Sequence, residues 1–182
     1  MWIANEQALE HESHTANSNE GSLIRLQRFD DGSLAPAGQW AYQTDPFHGA
    51  PDLVALPNGR LLVLERAFSF GSSGTHHNRI YLVDFSNATD TSGIADLDDG
   101  GFVLTSKTLL WDQDMGTTST HNFEGIALGP SLGSDSYSLL LIADNNTGST
   151  QHLYALQLHN VPEPTTLTSL AMGGLLLTRR RR

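Results

Sequence analysis

The chain of 182 residues predicts an all-β fold built from repeated antiparallel sheets, and three observations lead to that class. The first is composition: 17 glycines, with many Ser, Thr, Asn and Asp residues, mark a chain rich in turns. The second is a recurring unit, a short strand, a turn, and an apolar strand that ends abruptly on an acid. It is most complete as Phe123-Glu124-Gly125-Ile126-Ala127-Leu128 followed by Ser138-Leu139-Leu140-Leu141-Ile142-Ala143-Asp144-Asn145-Asn146. The same unit reads Asp52-Leu53-Val54-Ala55-Leu56, the turn Pro57-Asn58-Gly59, then Leu61-Leu62-Val63-Leu64-Glu65-Arg66; half of it opens the chain as Trp2-Ile3-Ala4-Asn5-Glu6. The third is that each unit is followed by a further strand-like segment.

In chain order, residues 1–5 read as a strand already under way, and residues 6–21 as an exposed polar loop with neither a 3.6 nor a 2.0 period. From Ile24, apolar Ile24 and Leu26 alternate with Arg25 and Gln27, as in a half-buried strand, and Asp30-Asp31-Gly32 turns the chain. Residues 39–43 form a short outer strand that Pro46 ends. Residues 52–56 and 60–66 make a hairpin around Pro57-Asn58-Gly59, and residues 68–77 a Gly/Ser-rich loop that carries His76 and His77. Residues 79–85 alternate again, residues 87–101 form a mobile acidic loop, and residues 105–111 an outer strand. The last unit is residues 123–128, 138–144 and 151–158.

Meandering antiparallel strands in repeated sheets, about four to a blade, are how a β-propeller is built. The count here is about two and a half to three blades, fewer than the four or more that close a ring. The first unit lacks its opening strand and the third an outer strand, so the expected architecture is a partial propeller cut mid-blade at Met1. A small open β-sandwich with similar strands is the alternative. No basic and apolar leader precedes Trp2, which agrees with a chain that begins inside a larger protein.

Charge and cysteine content exclude several functions. Residues 1–160 carry six Lys and Arg against nineteen Asp and Glu, a surface that repels phosphate backbones and argues against nucleic-acid binding. With no cysteine, disulfide staples, zinc–thiolate sites and thiol nucleophiles are absent. No Gly-x-Ser-x-Gly elbow and no glycine-rich phosphate loop ahead of a helix occurs. His11 and His14 have no third ligand placed by spacing.

The repeated acids are the chemical signal. In a propeller, Glu6, Asp52, Glu65, Glu124 and Asp144 would gather at one mouth, and Asn5, Asn145 and Asn146 could add carbonyl oxygens. Hard oxygens of this kind suit Ca²⁺, which would also relieve their mutual repulsion. Each acid could equally cap a strand or pair with Arg66 or Arg79. The metal set expected is therefore Glu6, Asp52, Glu65, Glu124, Asp144 and Asn145, and the catalytic set Glu124 as base, Asp144, and Arg66 toward substrate charge.

The segments Leu56-Pro57-Asn58-Gly59-Arg60-Leu61-Leu62-Val63-Leu64-Glu65-Arg66, Phe123-Glu124-Gly125-Ile126-Ala127-Leu128 and Leu141-Ile142-Ala143-Asp144-Asn145-Asn146 resemble the phytase-like family, described as having esterase-like activity. Trp2-Ile3-Ala4-Asn5-Glu6-Gln7-Ala8-Leu9 is similar to an earlier segment of that family. The resemblance implies a six-bladed propeller and hydrolysis of phosphate or ester bonds, with Glu65, Arg66, Glu124 and Asp144 at the motif positions. A non-catalytic module that binds glycan or matrix, or a fragment inactive because its ring is incomplete, are the alternatives.

Residues 1–160 form the domain expected to fold, and residues 161–182 a separate tail. There Pro162-Glu163-Pro164 precedes a small-residue apolar run, residues 165–178, and then Arg179-Arg180-Arg181-Arg182. The run is shorter than the roughly 20 residues that span a bilayer unaided. Four terminal arginines would hold that end in the cytoplasm and leave the body outside. This order resembles the PEP-CTERM sorting signal of Gram-negative bacteria. That resemblance implies a short C-terminal helix, recognition by an exosortase, transient contact with the inner membrane, and a protein exported to the cell envelope or surface.

Overall fold

The computed structural model describes residues 1–12, 19–69, 75–113, 121–145 and 150–161. They form ten strands in three antiparallel sheets and one 3₁₀ turn, Leu97–Asp99. The first sheet is β1 (Trp2–Ala4), β2 (Leu23–Phe29) and β3 (Pro36–Gln43), in that order. The second is β4 (His48–Ala55), β5 (Leu61–Ser69), β6 (Thr75–Asp84) and β7 (Ser106–Asp112). The third is β8 (Asn122–Gly133), β9 (Ser136–Asp144) and β10 (Leu153–Leu158). Within each sheet every strand pairs with its chain neighbour, so each sheet is a meander, its links ranging from the tight turn between β4 and β5 to the long connections of residues 5–22 and 85–105. At Pro57-Asn58-Gly59, Gly59 takes a φ of 84°, which a side chain would strain, and Asn58 Oδ1 accepts the Arg60 N–H at 3.1 Å. The expected all-β class of repeated antiparallel sheets is what these three sheets show; the expected C-terminal helix and sorting tail lie outside the described residues. No described helix is long and apolar enough to cross a membrane.

The sheets pack face on face, and β5 shows why its sequence is apolar without alternation. Leu61 and Val63 point into a core shared with Ile24, Leu26 and Tyr42 of the first sheet. Leu62 and Leu64 point the other way, into a core with Phe123, Ile126, Leu139 and Leu141 of the third. A strand buried on both faces reads as a continuous apolar run, and Leu61, Leu62, Val63 and Leu64 are all fully buried. At about 1.5–3 kcal/mol for each such side chain, these four weigh heavily in a fold of marginal net stability. The third sheet has only one covered face among the described residues, so Leu141 and Ala143 are buried while Ile142 between them stays 42% exposed.

Four expectations are corrected. The loop of residues 87–101 is docked: Leu97 is buried with Leu23 and Ala41 on the far side of the first sheet, and Thr91 N–H bonds to Gln39 O at 2.7 Å along β3. The segment of residues 6–21 is likewise not simply exposed. Glu12 is buried, and its Oε1 accepts from Arg25 Nη2 at 2.6 Å and from the Leu97 N–H at 3.2 Å. Arg25, on the polar side of the β2 alternation, is thus buried as well, because these loops cover that face. His76 and His77 lie on β6 rather than in a loop, and residues 36–38 extend the predicted strand of residues 39–43.

Candidate active site

The strand ends that carry acids converge through one arginine. Arg66 leaves β5 toward the third sheet; its Nη1 donates to Glu124 Oε1 at 2.7 Å and to Asn122 Oδ1, and its Nη2 to Glu6 Oε1 at 2.7 Å. Glu6 follows β1, Arg66 is on β5, and Asn122 and Glu124 open β8, so the three sheets each contribute. Glu124 sits in a β-bulge: Phe123 opposes Ala143 and Gly125 opposes Ile142, leaving Glu124 without a partner residue. A Cβ at Gly125 would stand 2.6 Å from Ile142 Cγ2, so glycine is what lets the bulge close against β9. The bulge frees Glu124 to face Arg66.

Glu124 is raised above its ordinary value. Burial is the main cause; Arg66 and a hydrogen bond from Asn122 pull it down, and the negative charges of Glu6 and Asp144 push it further up. Asp144, the exposed last residue of β9, pairs in register with Asn122 and so belongs to the same group. Three carboxylates thus stand against one guanidinium, an excess of negative charge at a solvent-facing mouth. Asn145 is exposed beside Asp144, and Asn146 lies outside the described residues.

Two expected members stand apart. Asp52 Oδ2 accepts the Ile126 N–H at 2.8 Å and its Oδ1 the Leu53 N–H at 2.8 Å. It clips β4 to β8 and spends an acceptor site of each oxygen on the backbone. Glu65 points to the opposite face from Arg66, as neighbours on a strand must. It is fully buried between the first two sheets, where it accepts from Tyr42 OH at 2.5 Å, Asp45 N–H at 2.8 Å and Lys107 Nζ at 2.6 Å. Burial raises its pKa against the lowering pull of Lys107. Glu65 is therefore not part of the mouth.

That second polar cluster continues through Asp45, whose carboxylate also meets Lys107, Arg79 and Tyr81. Burial alone would raise Asp45, but the hydrogen bonds from Lys107, Tyr81 and Arg79 outweigh it and hold the group at about 2, below its ordinary 3.8. A folded-state pKa below the unfolded one contributes stability that is present above the unfolded value and lost as pH falls through the folded one. Urea midpoints of the wild type should therefore fall between about pH 4 and pH 2, and Asp45→Asn should flatten that decline while lowering stability at neutral pH.

Asn122, which locks Arg66 and Glu124 together, is a site residue that the acid pattern does not point to; its only sequence signal is adjacency to Phe123 and Glu124. Another group, His11, Glu12 and Asp96, brings ligand atoms within 4.8 Å of one another. There Glu12 already has its cation, since Arg25 lies 2.6 Å away.

The model of one protein family, described as "Phytase-like: Esterase-like activity of phytase", matches residues 1–147. Comparison with curated proteins and with solved structures finds no match.

Proposed function

From the premise that this chain belongs to the phytase-like family, we propose that it is a hydrolase of phosphoric or carboxylic esters whose reaction takes place at the Glu6–Arg66–Glu124–Asp144 mouth. The observation that carries the reading is the state of Glu124: bulged out of β8, gripped by Arg66 and Asn122, and raised in pKa by burial and by its acidic neighbours. A carboxylate tuned upward is a better general base near neutral pH, so Glu124 takes the proton of the attacking water. Asn122 and Arg66 fix its orientation. Arg66 can pass from Glu6, the more exposed of its two acidic partners, to an incoming substrate oxygen.

The donor set also fits a hard divalent cation. Glu6, Glu124 and Asp144 offer carboxylate oxygens, and their charge exceeds that of Arg66, so Ca²⁺ would be held there and not at Asp52 or Glu65. Bound, it would supply electrostatic stabilisation of charge developing on the substrate. We place the three sheets as successive blades of a propeller, supported by their meander topology and face-on packing. The tail supports export to the cell envelope of a Gram-negative bacterium, with Pro162-Glu163-Pro164 and the terminal arginines read by an exosortase.

The test is hydrolysis of p-nitrophenyl phosphate and p-nitrophenyl acetate by the purified chain, with Ca²⁺ or with chelator, beside calorimetric titration of Ca²⁺. Turnover that requires Ca²⁺, with one ion bound at the mouth, is the expected result. Absence of turnover of either ester with any divalent metal would overturn the hydrolase reading and leave a binding module.

A further inference from the structure

Each of the three sheets ends on two edge strands, and among the described residues all but one of these edges are blunted against pairing with another chain. β1 is only three residues long. β3 opens on Pro36, and along it Gln39 O is taken by the Thr91 N–H. β4 carries Pro51 and a bulge between Gly49 and Asp52. β7 carries Lys107 and a bulge against β6, and β8 carries Pro130 and shifts of register against β9. Short length, proline, lysine and bulges are what keep an edge from acting as a template for a foreign strand. β10 has none of them. Leu153-Tyr154-Ala155-Leu156-Gln157-Leu158 holds no charge and no proline, pairs with β9 in unbroken register, and leaves Leu153 67% exposed.

The hydrogen-bonding groups on that open edge follow from the pairing with β9. The Ala143 N–H donates to His152 O at 2.9 Å, so His152 turns its backbone groups toward β9. Direction alternates along an antiparallel strand. Tyr154, Leu156 and Leu158 therefore also turn inward, and the N–H and C=O of Leu153, Ala155 and Gln157 point outward. The second sheet shows what takes such a position. β6 stands third in its sheet as β10 does, and β6 is covered by the antiparallel strand β7.

We propose that β10 is a homodimer edge, on which β10 of a second copy of this chain pairs antiparallel and supplies the fourth strand of the third sheet. A two-fold axis normal to the sheet passes through Ala155. Within β10 only this register, with Leu153 opposite the partner's Gln157 and Ala155 opposite the partner's Ala155, engages all three outward residues in hydrogen-bonded pairs. The axis also matches the faces, so the exposed Leu153 and Ile142 side of one copy continues into the same side of the other. Charge favours this edge as the meeting point. The chain carries a net charge of −10, so two copies repel wherever acids face each other, and β10 sets no charge against its partner.

The experiment is sedimentation equilibrium of the full chain over a concentration series reaching the high-micromolar range. A monomer–dimer equilibrium is expected. Ala155→Pro and Leu153→Lys should each raise the dissociation constant at least about tenfold with unchanged circular dichroism, because β9 does not use the Ala155 N–H and Leu153 is exposed. The chain has no cysteine, so Ala155→Cys reads the register. Hydrogen-bonded partners stand about 5.5 Å apart at Cα, within disulfide range, and mild oxidation should give a covalent dimer. Gln157→Cys should not cross-link, because its two copies lie four positions out of register, about 13 Å apart. A chain that stays monomeric throughout the series would overturn the proposal. So would a dimer that persists unweakened in both Ala155→Pro and Leu153→Lys, which would place association elsewhere, the apolar residues 165–178 included. Gln157→Cys cross-linking as readily as Ala155→Cys would overturn the pairing about Ala155.

Discussion

Arg25→Met is expected to lower the stability of the chain by about 3–5 kcal/mol, read as a shift in urea midpoint at neutral pH. The cost follows from what is left behind. Glu12 has no solvent-exposed side-chain surface, and among the described residues Arg25 is its ion-pair partner at hydrogen-bonding distance; without it the buried carboxylate keeps the Leu97 and Leu9 backbone N–H groups. The same guanidinium donates to Ile94 O at 3.0 Å and Ala95 O at 3.1 Å, so the loop of residues 87–101 loses two of its attachments in the same step. Adding Glu12→Leu should recover much of the loss, because an apolar pair of similar volume avoids burying a charge. If the double variant were less stable than Arg25→Met, the destabilisation would not come from an orphaned carboxylate.

Glu124→Gln is expected to reduce kcat on the better of the two esters by about 10²–10⁴-fold, the usual worth of a positioned general base. KM should change little, since Gln keeps an oxygen that accepts from Arg66 and the bulge that aims it is set by backbone and by Gly125. A Glu124→Gln variant as active as the wild type would exclude Glu124 as the base. A rise in KM at constant kcat would show instead that the side chain only helps bind substrate.

Much of the fold is legible from strand patterns alone. Period-two alternation and turn residues locate β2, the β4–β5 hairpin, β9 and β10, because their burial is local and repeats along the strand. The apolar run from Leu61 to Leu64 is equally readable once a strand covered on both faces is considered. The docked loops are not readable in this way. Glu12 and Arg25 meet across 13 residues through an ion pair that leaves no periodic trace, and Ile94 and Leu97 are isolated apolar residues in an acidic stretch.

The site is legible as a set of strand-end acids, but not as to which of them share a face. Glu65 and Arg66 are adjacent on one strand, so only one of them can line the mouth; that parity is present in the sequence, and the packing of the sheets is what turns Glu65 to the interior. For Asp52 the deciding factor is a hydrogen bond to the backbone of Ile126, a contact 74 residues away that no spacing encodes. Glu124 reaches the mouth through a bulge, and a bulge shifts register without changing the residue pattern.

The most direct test of Glu6, Arg66, Glu124 and Asp144 as one electrostatic unit is the pH dependence of kcat/KM in the wild type and in Glu6→Gln. A base raised by burial and by like charges must lose its proton before it works, so activity in the wild type should rise with pH through a value above the ordinary glutamate range of about 4.3. Glu6→Gln removes one of those negative charges and should move this acid limb to lower pH. An acid limb that stays in place in Glu6→Gln, or that lies at or below the ordinary glutamate value in the wild type, would contradict the assignment.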